Sequence, residues 1–134
     1  MFLDSTGSFV IESTKTTPYV SFTSSKKLLE IKGVSSPDNT PVFYSPVFTF
    51  LESIASYDIQ HLNVCFSLLY FNSSSAKAFY NILKRIKGLT GAMTYKIDWF
   101  CDENDEDMIE SVEDFMDLLD LDIRILETEL NHGE

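Results

Sequence analysis

The stretch YFNSSSAKAFYNIL, residues 70–83, places three consecutive serines between an apolar run and the first residues of an amphipathic pattern. Three kinds of chemistry can use hydroxyls in that position. A nucleophile needs a base beside it, and the histidines are His61 at a strand start and His132 near the C-terminus, so a catalytic triad is not expected. A helix cap needs one side-chain oxygen, and Asn72 or Ser73 supplies it, which typically stabilises a helix by about 1 kcal/mol. Ser74 and Ser75 then read as exposed first-turn residues where serine is well tolerated. A phosphate acceptor is the third use: a phosphoryl group carries roughly −1.5 to −2 charges and meets free backbone N–H groups at a helix start.

Other motifs are few. GxxxxGK[ST], GxGxxG and GxSxG are absent from the sequence, which holds 5 glycines in all. Cys65 and Cys101 each lie in an apolar context without CxxC spacing and read as small buried residues instead of a disulfide or zinc site. In the acidic segment 102–122, Asp102, Asn104, Glu106 and Glu113 match calcium-loop positions. The sixth position is Asp107 where a glycine is required, and a strand pattern precedes it where an entering helix belongs. A helix with an acidic first turn and a solvated outer face, or an acidic docking face for a basic partner, accounts for the segment without a metal.

The elements that must position these residues follow from periodicity. Residues 1–17 read as an N-terminal lead-in. YVSFT (19–23) and KLLEIKGV (27–34) suggest a hairpin. SSPDNTP (35–41) is a turn, after which Phe43, Val47, Phe48, Leu51 and Ile54 recur at helical steps. HLNVCFSLLYF (61–71) is apolar on both alternating sets, Val64/Phe66/Leu68/Tyr70 and Cys65/Leu69/Phe71, as a strand covered on two faces would be. Ala76, Phe79, Ile82, Leu83 and Ile86 form the next helical stripe, with Lys77, Lys84 and Lys87 outside it and a basic last turn that suits the helix dipole. MTYKIDWFC (93–101) is a strand. Met108, Ile109, Val112, Phe115, Met116 and Leu119 mark a third helix, and LDIRIL (121–126) a last strand. The order β-β-α-β-α-β-α-β implies one α/β domain over residues 18–127, a mixed, mostly parallel sheet of about five strands with three helices, and a tail from 128 to 134.

With 134 residues and 44% hydrophobic composition, the chain can fill one core. Its formal charge of −11 repels phosphate backbones and anionic membrane surfaces, which argues against nucleic acid and membranes as partners. The N-terminal MFLDSTGSFVIEST has no basic region and no signal-length apolar run, so a cytoplasmic location is expected.

Four segments, IESTKTTPYVSF (11–22), LEIKGVSSPDN (29–39), FSLLYFNSSSAKAF (66–79) and DENDEDMIESVEDF (102–115), stand in an order that resembles the SiaC-type regulatory phosphoproteins of bacteria. The resemblance implies a small STAS-like switch protein, similar in element order to the anti-sigma factor antagonists. It also implies a dedicated serine/threonine kinase, a PPM-type phosphatase and a diguanylate cyclase effector as partners, with cyclic di-GMP and biofilm behaviour as the output. The family motif maps the phosphoacceptor to Ser73, with Asn72, Ser74, Ser75 and Lys77 around it and Pro37, Asp38 and Asn39 as a neighbouring partner-binding loop. Two departures are serine where the acceptor is commonly threonine, and Val112 where the acidic motif commonly has glycine. No catalytic residue, metal or cofactor is implied. Two rival readings are a small-ligand or nucleotide domain with its pocket at the strand ends, and a constitutive adaptor that binds through its acidic helix.

Overall fold

A computed structural model describes residues 5–57, 59–89 and 91–130. The strands are β1 (Phe9–Ile11), β2 (Tyr19–Thr23), β3 (Leu28–Ser35), β4 (His61–Phe71), β5 (Thr94–Asp102) and β6 (Arg124–Thr128), and the helices are α1 (Thr40–Ser53), α2 (Ser73–Lys87) and α3 (Glu106–Leu119). They form one six-stranded sheet in the order β1-β2-β3-β4-β5-β6. The expected count of about five strands is corrected by β1, which lies inside the expected lead-in and pairs antiparallel with β2, Phe9 opposite Phe22. Three residues rich in serine and threonine surroundings carry little periodic signal, yet Phe9 buries its ring against Phe50 at 5.7 Å. β2 and β3 form the expected antiparallel hairpin, and β3, β4, β5 and β6 run parallel.

Sequential order has a consequence for the layers. Each parallel crossover steps the same way along the sheet, and crossovers of one hand then place every helix on one face. Burial follows that rule: Leu62, Val64, Phe66 and Leu68 of β4 are buried, while His61, Asn63, Cys65 and Ser67 between them are half-buried. The expectation of a strand covered on two faces is therefore corrected to a two-layer fold in which no helix of the described residues covers the other face of the sheet. That face carries a cross-strand row of Glu30, Cys65, Asp98 and Arg124. Arg124 grips Asp98 with two hydrogen bonds, 3.0 and 3.2 Å.

A bulge reorganises the end of β4. Gly33 is opposite Leu68, but Val34 is opposite Tyr70, so Leu69 is an extra residue in β4. The alternation slips by one. Tyr70 is left 55% exposed, and Phe71 turns inward against Phe79 of α2 at 5.2 Å and Phe115 of α3 at 6.4 Å. Beneath them Phe66 stacks on Trp99 at 4.1 Å, and Trp99 also meets Phe79 and Phe115. The segment entering α2 is thus held by a packed aromatic cluster.

α1 begins at the N-cap Asn39, whose Oδ1 accepts from the N–H of Val42. Pro46 lies inside it and has no N–H for the carbonyl one turn back; the Ser45 hydroxyl donates to that carbonyl, Val42 O, at 3.1 Å. The stripe centres on Tyr44, Val47, Phe50, Leu51 and Ile54, with Phe43 and Phe48 only partly buried. α3 buries Met108, Val112, Phe115 and Leu119 and leaves its acidic side chains outward. Lys87 at the end of α2 donates to the Leu119 and Asp120 carbonyls at the end of α3, so a cation neutralises a helix C-terminus.

Candidate functional site

The three serines have three different surroundings. β4 ends at Phe71, and the Asn72 N–H donates to the Ser35 carbonyl at 3.0 Å, which ties the strand end to β3. Asn72 is the N-cap of α2: its Oδ1 accepts from the Ser75 N–H at 2.9 Å, and its carbonyl accepts from the Ala76 N–H. Ser73 and Ser74 occupy the first two helical positions, and both are exposed. Helix geometry leaves their N–H groups without intrahelical acceptors, so these amides and the helix dipole point toward any group attached to either hydroxyl.

Ser75 corrects the expectation of three exposed first-turn residues. It is 0% exposed and belongs to the core face of α2. Its hydroxyl donates to the Ser35 carbonyl at 3.0 Å and lies 2.7 Å from the Ser35 hydroxyl, which lies 2.6 Å from the Tyr44 hydroxyl. One proton per hydroxyl orders the chain. With the Ser75 proton on the carbonyl, Ser75 Oγ accepts from Ser35, and Ser35 Oγ accepts from Tyr44. Burial raises the Tyr44 pKa well above its ordinary value, with the Ser35 hydrogen bond opposing in part, so Tyr44 keeps the proton this chain requires. The result joins β3, α1 and α2 at one buried point.

The other expected residues divide. Lys77 is exposed one turn into α2. Asp38 and Asn39 are exposed at the start of α1, but Pro37 is buried, so Pro37 and Ser75 offer no surface to a partner. Loop 35–39 does lie beside the α2 start, through the Ser35 bonds to Asn72 and Ser75. Ser35 and Tyr44 belong to no motif in the sequence, and Tyr44 lies outside the stripe expected for α1, which runs through Phe43; it is the burial of its phenol that demands a polar partner.

Among the described residues no histidine stands near the serines. His61 sits at the far end of the 11-residue β4, roughly 33 Å away at about 3.3 Å per residue, and its ring nitrogens meet Thr94 and Asn63. His132 lies outside the described residues. The calcium-like positions are used otherwise: Asp102 accepts from the Leu130 N–H, and Glu106 and Glu113 both lie in α3, which the intervening Asp105 caps through the Met108 N–H. Among the described residues no group of three His, Cys, Asp or Glu is arranged to hold a metal. Cys65 and Cys101 are free thiols, each pushed up to about 11, first by burial and then by neighbouring carboxylates. Among the described residues no helix is long and apolar enough to cross a membrane.

Comparison with known proteins agrees with this geometry. No curated protein sequence matches the chain at a significant level. Among solved structures, apo-SiaC from Pseudomonas aeruginosa is 26% identical with a TM-score of 0.78, over 89% of this chain and 98% of that one. A chain in the crystal structure of the diguanylate cyclase SiaD in complex with its activator SiaC, from the same organism, is 26% identical with a TM-score of 0.81, over 90% and 99%. The model of the SiaC family regulatory phosphoproteins matches residues 11–128, from β1 to the end of β6, and the chain belongs to that family.

Proposed function

We propose that this chain is a non-catalytic partner switch for a diguanylate cyclase, with Ser73 as phosphoacceptor. A dedicated serine/threonine kinase adds the phosphate, and a PPM-type phosphatase removes it. The observation that carries the reading is the sorting of the three serines: Ser75 is sealed in a buried hydroxyl chain, whereas Ser73 stands exposed beside a capped helix start. A phosphoryl group there meets helix N–H groups and leaves the core undisturbed. It changes only the surface a partner touches, by like-charge repulsion and by the cost of desolvating a dianion. The complex of the diguanylate cyclase SiaD with its activator SiaC supports that class of effector.

Sheet topology weighs against a ligand pocket at the strand ends. Open α/β sheets bind small molecules where the strand order reverses and helices pass to opposite faces, and the order β3-β4-β5-β6 contains no reversal.

Incubation with such a kinase, followed by intact-mass measurement and fragmentation, should place one phosphate on Ser73. Ser73→Asp or Ser73→Glu should abolish binding to the cyclase, and Ser73→Ala should preserve it. Phosphate on Ser74, or binding indifferent to Ser73→Asp, would falsify the assignment.

A further inference from the structure

α2 has a second face that the core does not use. Ser74, Lys77, Asn81, Lys84 and Arg85 recur at three- and four-residue steps beside the buried stripe, with the buried Ala78 at its margin. Facing them on α1 are Pro41, Tyr44, Phe48 and Leu51. Two depressions of about 330 and 660 Å³ lie between the helices, and both are lined by Phe48 and Asn81. They form one trough that runs from the first turn of α2 to Leu89. Its lining mixes apolar side chains, Phe48, Leu51 and Leu89, with Asn81, Lys84 and Arg85, and among the described residues no carboxylate lines it.

That lining is unusual in a chain of charge −11. α2 carries Lys77, Lys84, Arg85 and Lys87 with no acidic residue, and α3 carries acidic residues with no basic one. Arg85 lies over the Phe48 ring at 5.6 Å and pairs with Glu52 at 3.0 Å, and Lys87 is turned toward the end of α3. Lys77 and Lys84, both exposed, have no ion pair among the described residues and stand two helical turns apart, about 10 Å along the axis.

We infer that this trough receives an amphipathic helix of a partner protein, of about 15 residues to match its length, with an apolar stripe toward Phe48 and acidic flanks toward Lys77 and Lys84. A second copy of this chain fits less well. Its acidic helix, α3, already commits Met108, Val112, Phe115 and Leu119 to its own core and exposes only Leu118 among large apolar side chains. The inference deepens the partner-switch reading and rests on it in one respect: Ser74 lines the end of the trough, so a dianion at the adjoining Ser73 faces the carboxylates of the occupant.

The test uses the full chain, isotope-labelled for amide NMR at physiological salt, and two synthetic 16-residue helical peptides. Both share one leucine stripe; one has glutamate flanks and the other lysine flanks. The glutamate peptide should shift amides of residues 40–51 and 74–89, and the lysine peptide should shift α3 instead. The double variant Lys77→Glu/Lys84→Glu should weaken the glutamate peptide at least tenfold, with a single cooperative thermal unfolding retained and lowered only by the few degrees that loss of a last-turn cation brings. No binding of the glutamate peptide, shifts on α3 or the open sheet face, or equal affinity for the double variant overturns the inference. Ser73→Asp separates the two proposals. Unchanged peptide affinity in that variant leaves the trough standing and counts against the switch, whereas phosphorylation of Ser73 without peptide binding leaves the switch standing and overturns the trough.

Discussion

Three adjacent serines divide one task among themselves because a helix turns about 100° per residue. Ser73 and Ser74 face water, and Ser75 faces the sheet, where it meets Ser35 and Tyr44. Removing the Ser75 hydroxyl strips the Ser35 proton of its acceptor in a place water does not reach. Ser75→Ala should therefore destabilise the fold by about 1–3 kcal/mol. Ser73→Ala, at an exposed position, should change stability by less than about 0.5 kcal/mol. Urea unfolding followed by the fluorescence of Trp99 separates these outcomes, since this single tryptophan is buried and stacked on Phe66. Equal stabilities for the two variants would remove the buried hydroxyl chain as a structural element.

At the scale of elements, the start of α2 is positioned by the irregular ends of two strands. Gly33 has φ +117°, a conformation that side-chain-bearing residues rarely adopt, and it pairs at the point where Leu69 bulges out of β4. The added Cβ at Gly33 meets no close neighbour, its nearest atom being Pro18 Cα at 3.8 Å, so the penalty of Gly33→Ala lies in the backbone. That substitution should destabilise by about 1–3 kcal/mol. Part of the cost should appear locally, as faster hydrogen exchange at Asn72 and Ser75, because the same bulge turns Phe71 inward and sets Asn72 on the Ser35 carbonyl. A Gly33→Ala protein with wild-type stability and exchange would show that the bulge forms without glycine.

For the molecule as a whole, the two-layer arrangement leaves one sheet face in partial contact with water, and ionisable groups lie in both layers. Tyr44 between the layers, Cys65 on the open face and Cys101 under α3 all have raised pKa values, chiefly from burial. Each folded group holds its proton more tightly than the unfolded chain does. The contribution of the two thiols to stability is complete below about pH 9, the ordinary thiol value, and is lost as pH rises through about 11, whereas that of Tyr44 is lost only at higher pH. The melting temperature should fall across that window, and Cys65 should react slowly with iodoacetamide at pH 8. Rapid alkylation of the native protein at pH 8 would contradict the raised thiol.

The periodic parts of this protein were legible in its residues alone. The hairpin, three helices, the parallel strands, a cap at Asn72 or Ser73 and the hydroxyl-bearing helix start follow from local spacing, because amphipathic stripes and caps depend on neighbours a few residues away. Tertiary structure decided what depends on residues far apart in sequence. It joined Phe9–Ile11 to the sheet through pairing with β2, a contact that three residues cannot signal by period. It put all helices on one face, a result of strand order and not of any strand's own pattern. It also exchanged Tyr70 for Phe71 at the bulge and buried Ser75 against Ser35, residues 40 positions apart. Which serine faces water is set by that long-range packing, since the three are chemically alike until the sheet lies beneath them.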